Sequence, residues 1–167
     1  MPSNSRPEVA FHFIVQVFES LGIPFLVVGG LAARVYGSVR PLNDIDLAVP
    51  DDALPRILER VQSYVVFGPA RYENARLSLM LLTLEVEGHV VDIAGITHGR
   101  ILDRADQRWV PLHADFAVFT RSEVFGRFVP VVTRSVLLDY KRRLDRHVDR
   151  LDVAALRATS AAGSSDD

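Results

Sequence analysis

The chain has 167 residues, of which 49% are apolar and 24% charged, proportions expected of one compact domain with a real core. A formal charge of −2, with acidic and basic residues interspersed, argues against a polyanion as the main partner and leaves room only for a local basic patch. The absence of cysteine excludes disulfides and thiolate metal sites, so any metal must be held by oxygen or imidazole, which favours magnesium over zinc.

The opening MPSNSRPEVAFHFIVQVF has no basic segment ahead of a long apolar run. No window reaches the roughly 18 apolar residues needed to span a bilayer, so a cytoplasmic protein without a membrane partner is expected. After a polar arm, Phe11, Ile14, Val15, Phe18 and Leu21 recur at helical spacing, predicting a helix over Glu8 to Leu21 that stops at Gly22. FLVVGG then reads as a buried strand ending in a tight turn at Gly29, and Leu31 to Tyr36 as a short helix closed by Gly37. A polar connector, SVRPLN, leads into a strand over Asp44 to Val49. Asp51 is placed to cap a helix from Asp52 to Ser63. Ala75 to Val86 and HVVDIAG form two strands of an antiparallel hairpin, with Glu87, Gly88 and His89 as the turn.

From Ile96 to Phe128 the pattern weakens, leaving short extended candidates at Trp109 to Leu112 and Phe116 to Phe119 and a last one near Phe128 to Val132. Thr133 is placed to cap the helix RSVLLDYKRRL, and DRLDVAALRA gives another helix. From Thr159 onward the periodicity stops, so residues 1–158 are expected to form a single domain and 159–167 a disordered tail. There is no internal repeat, and the order of elements suits an α/β (α+β) fold, a mixed sheet flanked by helices with C-terminal helices.

The residues that carry chemistry cluster early. Alternation along a strand puts Asp44 and Asp46 on one face and Ile45 and Leu47 on the other. Two carboxylates this close repel unless a cation or a proton intervenes, and oxygen ligands suit a hard divalent ion, Mg²⁺ or Mn²⁺. Asp92 lies in the apolar frame VVDIAG, where an unpaired charge costs several kcal/mol, roughly the penalty for an isolated buried ion. If its strand lies beside Asp44 to Val49, it completes a three-carboxylate site for two metals roughly 4 Å apart. Gly29 and Gly30 make a turn without side chains, which lets backbone amides approach a triphosphate. Arg40 and Lys141 are candidate phosphate partners. Each feature also has a plainer reading. A D-x-D pair, a double glycine or an isolated arginine is commonly structural; the alternating charges of KRRLDRHVDR usually mean a solvated helical face, a reading that for Lys141 weighs as much as the phosphate one. Trp109 and Phe116 suit a core better than a stacking platform, and His12, His89, His98, His113 and His147 lie too far apart to form a ligand set.

Taken together, GGLAARVYGSVRPLNDIDLAV resembles the signature of the nucleotidyltransferase superfamily: a glycine pair, a short helix, a D-x-D strand, and a third aspartate on a later strand. More narrowly it resembles small bacterial nucleotidyltransferase-like proteins and AbiEii-type toxins, through Gly29, Gly30, Arg40, Asp44, Asp46 and Lys141. The resemblance runs from about Phe25 to Gly95 and more loosely through Asp152, where KRRLDRHVDRLDVAAL is similar to a family helix with K-x-x-x-R and an acidic pair, near Arg146, Asp149 and Asp152. One departure is Gly30, where many active members carry a serine whose hydroxyl would contact phosphate.

The resemblance implies the nucleotidyltransferase fold and magnesium-dependent transfer of a nucleoside monophosphate from a nucleoside triphosphate to a hydroxyl or phosphate. The acceptor could be RNA, a protein or a small molecule. Asp44 and Asp46 would ligate metal, with Asp92 completing the site and activating the acceptor. A hydrolase with water as acceptor would use the same carboxylates. The alternative is a non-catalytic binding module or toxin-antitoxin component. The short chain suggests that a homodimer or a partner chain completes the acceptor surface.

Overall fold

The structure is a computed structural model that describes residues 6–162. It begins with α1 (Pro7–Leu21), whose Ala10, Phe11, Ile14, Val15 and Phe18 are fully buried. Gly22 ends this helix in the left-handed conformation, φ 64°, its amide donating to the Glu19 carbonyl and that of Ile23 to Phe18. The chain continues through β1 (Leu26–Val28), α2 (Gly29–Val35) and β2 (Asp44–Val49), close to the limits expected from sequence.

A 3-10 turn at Asp51–Ala53 precedes α3 (Leu54–Val61). Asp51 does not cap that helix. Its carboxylate accepts from the amides of Thr97 and His98 instead, tying the turn to the sheet. Next come β3 (Val65–Glu73), β4 (Leu77–Val86) and β5 (His89–Asp103). The expected hairpin is present, with Val86 paired to His89 and positive φ at both Glu87 (50°) and Gly88 (70°) in the two-residue turn.

The chain closes with β6 (Arg108–Pro111), β7 (Thr120–Val124), β8 (Arg127–Val131), α4 (Arg134–Leu144) and α5 (His147–Ala162). Several expectations need correction here. β3 is a strand that the sequence pattern missed, because Gly68 and Pro69 punctuate it and most of this edge strand faces solvent. β5 runs eight residues past Gly95. The extended stretch expected at Phe116 to Phe119 is loop, and the strand follows it at Thr120. Thr133 occupies the N-cap position of α4 without a side-chain capping bond. The expected tail does not begin at Thr159, because α5 continues to Ala162 and the Thr159 hydroxyl donates to the Tyr36 carbonyl. The rest of that tail, residues 163–167, lies outside the described residues.

The strands form one mixed sheet in the order β3-β4-β5-β2-β1-β8-β7, with β6 added to the far part of β5. β2 runs parallel to β5 and β1 parallel to β8, while the other pairs are antiparallel. One face, carrying Ile45, Leu47, Leu82, Leu84, Val91 and Ile93, packs into the core with α1 and α3. The opposite face opens into a cleft walled by α4. Trp109 is 40% exposed and Phe116 half-buried, and neither belongs to the core as expected.

Candidate active site

Parallel pairing of β2 with β5 sets Asp46 directly opposite Asp92, with Asp44 two residues back on the same face. The three side chains offer carboxylate oxygens within 4.8 Å of one another, the only such cluster of potential metal ligands among the described residues. Ile45 and Leu47 point the other way and are fully buried. Burial and the charges of Asp44 and Asp92 push the Asp46 carboxyl from its ordinary 3.8 up to about 7, opposed by the Gly30 amide, which donates to it, and by the charge of Lys141. Burial also raises Asp92, against a 2.5 Å hydrogen bond from the Thr83 hydroxyl. A cluster in which Asp46 and Asp92 resist ionisation and every ligand atom is a carboxylate oxygen fits a hard divalent cation.

Gly29 and Gly30 sit at the corner between β1 and α2, where Val28 pairs with Asp46. Gly29 has φ 60°, and a Cβ on it would collide with the Asp46 carboxylate, so the turn needs glycine for both conformation and space. At Gly30 a Cβ would stand 2.8 Å from Nη2 of Arg40. The guanidinium therefore occupies the space into which a serine at this position would project.

Arg40 and Lys141 are not free cations. The Arg40 guanidinium donates to both Asp152 oxygens, at 2.8 and 2.9 Å, and the Ser38 hydroxyl donates to the same carboxylate at 2.6 Å. Lys141 is 1% exposed and pairs with Asp152 at 2.8 Å and Asp149 at 3.3 Å. Arg146 completes the group by donating to Asp149 from its side chain and its amide. The surrounding cations hold Asp149 and Asp152 below the usual carboxylate range despite their burial. The reading of KRRLDRHVDR as a solvated face is thus overturned for its inner side. Leu137, Lys141 and Leu144 share the buried stripe of α4, and Asp149, Asp152 and Leu156 that of α5.

The cleft has a volume of about 1110 Å³ and contains the three acids, both glycines, Arg40 and Lys141. It also brings in two residues that sequence reasoning missed, Thr83 and Tyr140. Thr83 could have been found from the hairpin register, which pairs it with Asp92. Tyr140 had no such signal; burial and the nearby Asp46 charge raise its phenol. Of the five histidines, four are exposed, and His89 is buried with Nε2 unpartnered. None joins the acidic cluster.

This architecture is the nucleotidyltransferase fold. A nominal nucleotidyltransferase from Thermotoga maritima superposes with a TM-score of 0.63 at 18% identity, over 95% of this chain and 96% of that one. The lincosamide antibiotic adenylyltransferase LnuA in its lincomycin-bound form gives 0.61 at 18% identity, over 93% and 99% of the two chains. ANT(2")-Ia in complex with adenylyl-2"-tobramycin gives 0.57 at 17% identity, over 93% and 88%. At these identities the likeness establishes the fold. No protein-family model matches the sequence. No curated protein matches it either.

Proposed function

We propose that this chain transfers a nucleoside monophosphate from a nucleoside triphosphate to an acceptor hydroxyl or phosphate. The observation that carries this reading is the convergence of Asp44, Asp46 and Asp92 beside the Gly29–Gly30 corner of a nucleotidyltransferase fold. Mg²⁺ or Mn²⁺ ions held by the three carboxylates would neutralise the phosphates and lower the pKa of the acceptor hydroxyl. Asp92, on the strand farther from the glycine corner, accepts the acceptor's proton, and the Thr83 hydroxyl bonded to its carboxylate orients it for that step. The acceptor oxygen bonds to the α-phosphorus as the α–β phosphoanhydride bond breaks, and pyrophosphate leaves with the electron pair. The glycine corner admits the phosphates closely, and Arg40, fixed by Asp152 against Gly30, supplies a donor where a serine hydroxyl is missing. Lys141 lies behind it and contributes positive potential at Asp46.

The test is incubation of the protein with labelled nucleoside triphosphates, Mg²⁺ and a cell extract or total RNA. Label should move to an acceptor with the wild type and not with Asp46→Asn; transfer unaffected by that substitution refutes the reading. Calorimetry with each triphosphate separates a mere binding module, for which affinity would not depend on Mg²⁺.

A further inference from the structure

The cleft changes character beyond Asp92. Sheet order places β1 and β2, with the glycine corner, on one side of β5, and β4 and β3 on the other. Leu77, Leu79 and Leu81 of β4 line the cleft in sequence with Thr83, the residue bonded to Asp92, so an apolar ramp begins at the acidic cluster. Ile96 of β5 extends it, as does Tyr72 of β3, which pairs with Leu79.

The charges lining this end are Arg76, Arg143 and Asp139 among the described residues. Arg76 donates to the Leu144 carbonyl, and Arg143 is paired with both Asp103 and Asp139. Arg76 keeps its charge on a neutral carbonyl, so among the described residues lining this end there is one uncompensated cation, too few to hold a polyanionic acceptor, and no unpaired carboxylate for a polycationic one. At about 1110 Å³ the cleft exceeds the roughly 300–1,000 Å³ that holds one drug-sized ligand.

We infer that the apolar end of the cleft, from Leu81 to Tyr72, is the acceptor subsite, and that its occupant is a small, uncharged, apolar-bodied molecule bearing a hydroxyl. This rests on the transferase reading, which sets the nucleotide phosphates at the glycine corner and therefore the acceptor on the far side of Asp92. The apolar body lies on the leucine ramp, the hydroxyl oxygen attacks the α-phosphorus, its proton passes to Asp92 and pyrophosphate departs.

The probe is N-phenyl-1-naphthylamine, a neutral compound that fluoresces in apolar sites, titrated into the full chain with and without Mg²⁺ and the α,β-methylene analogues of the four nucleoside triphosphates. Leu81→Glu and Tyr72→Glu place a charge at two points of the ramp, and Tyr72 is 40% exposed on the edge strand β3, so its variant keeps the fold even if the other does not. The expected result is one saturable probe site, weakened at least tenfold by either substitution, with nucleotide affinity within twofold of wild type and probe and nucleotide bound together. A companion assay with labelled triphosphates offers 2-naphthaleneethanol, an RNA oligonucleotide and an amino sugar, and only the first should take label. The inference is overturned if nucleotide binds but the probe does not, if the nucleotide displaces the probe, if the substitutions leave probe binding unchanged, or if RNA or the amino sugar is the labelled acceptor. Absence of Mg²⁺-dependent nucleotide binding instead overturns the transferase reading and the acceptor assignment with it.

Discussion

Replacing Asp46 with asparagine removes one charge from a group of three that repel each other and keeps the side-chain shape. The Asp46 carboxyl is lifted from 3.8 to about 7, which at about 1.4 kcal/mol per pH unit corresponds to about 4 kcal/mol against its ionised form in the metal-free protein. The folded state then holds this proton more tightly than the unfolded chain, so the contribution of Asp46 to stability falls as pH rises from about 4 to about 7 and stays low above that. Asparagine escapes this loss. Relaxation of the other two carboxylates reduces the gain, and we expect Asp46→Asn to be more stable than wild type by about 2–4 kcal/mol at pH 8 in EDTA. The advantage should shrink towards zero near pH 4. At about 2–4 °C per kcal/mol for a chain of this size, the melting temperature at pH 8 should rise by several degrees. Adding Mg²⁺ should raise the wild-type melting temperature and not the variant's, and nucleotide transfer should be lost. Urea unfolding at pH 4.5, 6 and 8 with EDTA measures the difference directly. A variant less stable than wild type at pH 8, or a difference independent of pH, would refute the account of a strained acidic cluster.

Gly29→Ala forces a side chain into a left-handed position against the Asp46 carboxylate; it should cost about 1–3 kcal/mol in urea unfolding and abolish Mg²⁺-dependent triphosphate affinity in calorimetry. Asp152→Asn removes the charge shared by Arg40 and the buried Lys141, and unfolding should show a loss of about 3–5 kcal/mol; a loss below about 1 kcal/mol would mean the network is not what fixes α5 to the connector before β2. Because Asp149 and Asp152 are held low, the stability they give is present above the ordinary carboxylate range and disappears as pH falls through their folded values, so acid unfolding of the variant should be shallower than that of wild type. Thr83→Val deletes the donor that lowers Asp92; the acid limb of kcat/KM against pH should move upward, and an unchanged limb would remove Asp92 from the role of base.

Much of the site is legible in the sequence because its parts are local patterns. The alternation of Asp44, Ile45, Asp46 and Leu47 fixes which side chains share a face, and the double glycine marks the corner beside them. Asp92 was conspicuous as a charge in an apolar strand. The hairpin from β4 to β5 announced itself through two apolar runs around Glu87 and Gly88. Lys141, Asp149 and Asp152 also left a trace, since each occupies an apolar-stripe position beside Leu137, Leu144 or Leu156. That trace was masked by their arginine and aspartate neighbours, whose alternating charges look like a solvated face.

Sequence alone therefore determined the local facts: which residues form the early helices and strands, which carboxylates point together along one strand, and where only glycine fits. It could not determine that β5 lies parallel to β2 in the register that opposes Asp92 to Asp46, because strand pairing is decided by which apolar faces bury each other across long separations in the chain. Nor could it show that Arg40 and Lys141 close on the same aspartate. What a charge can reach is settled only when the fold has fixed what surrounds it, and here the tertiary structure anchors both cations on Asp152 and holds Arg40 against Gly30.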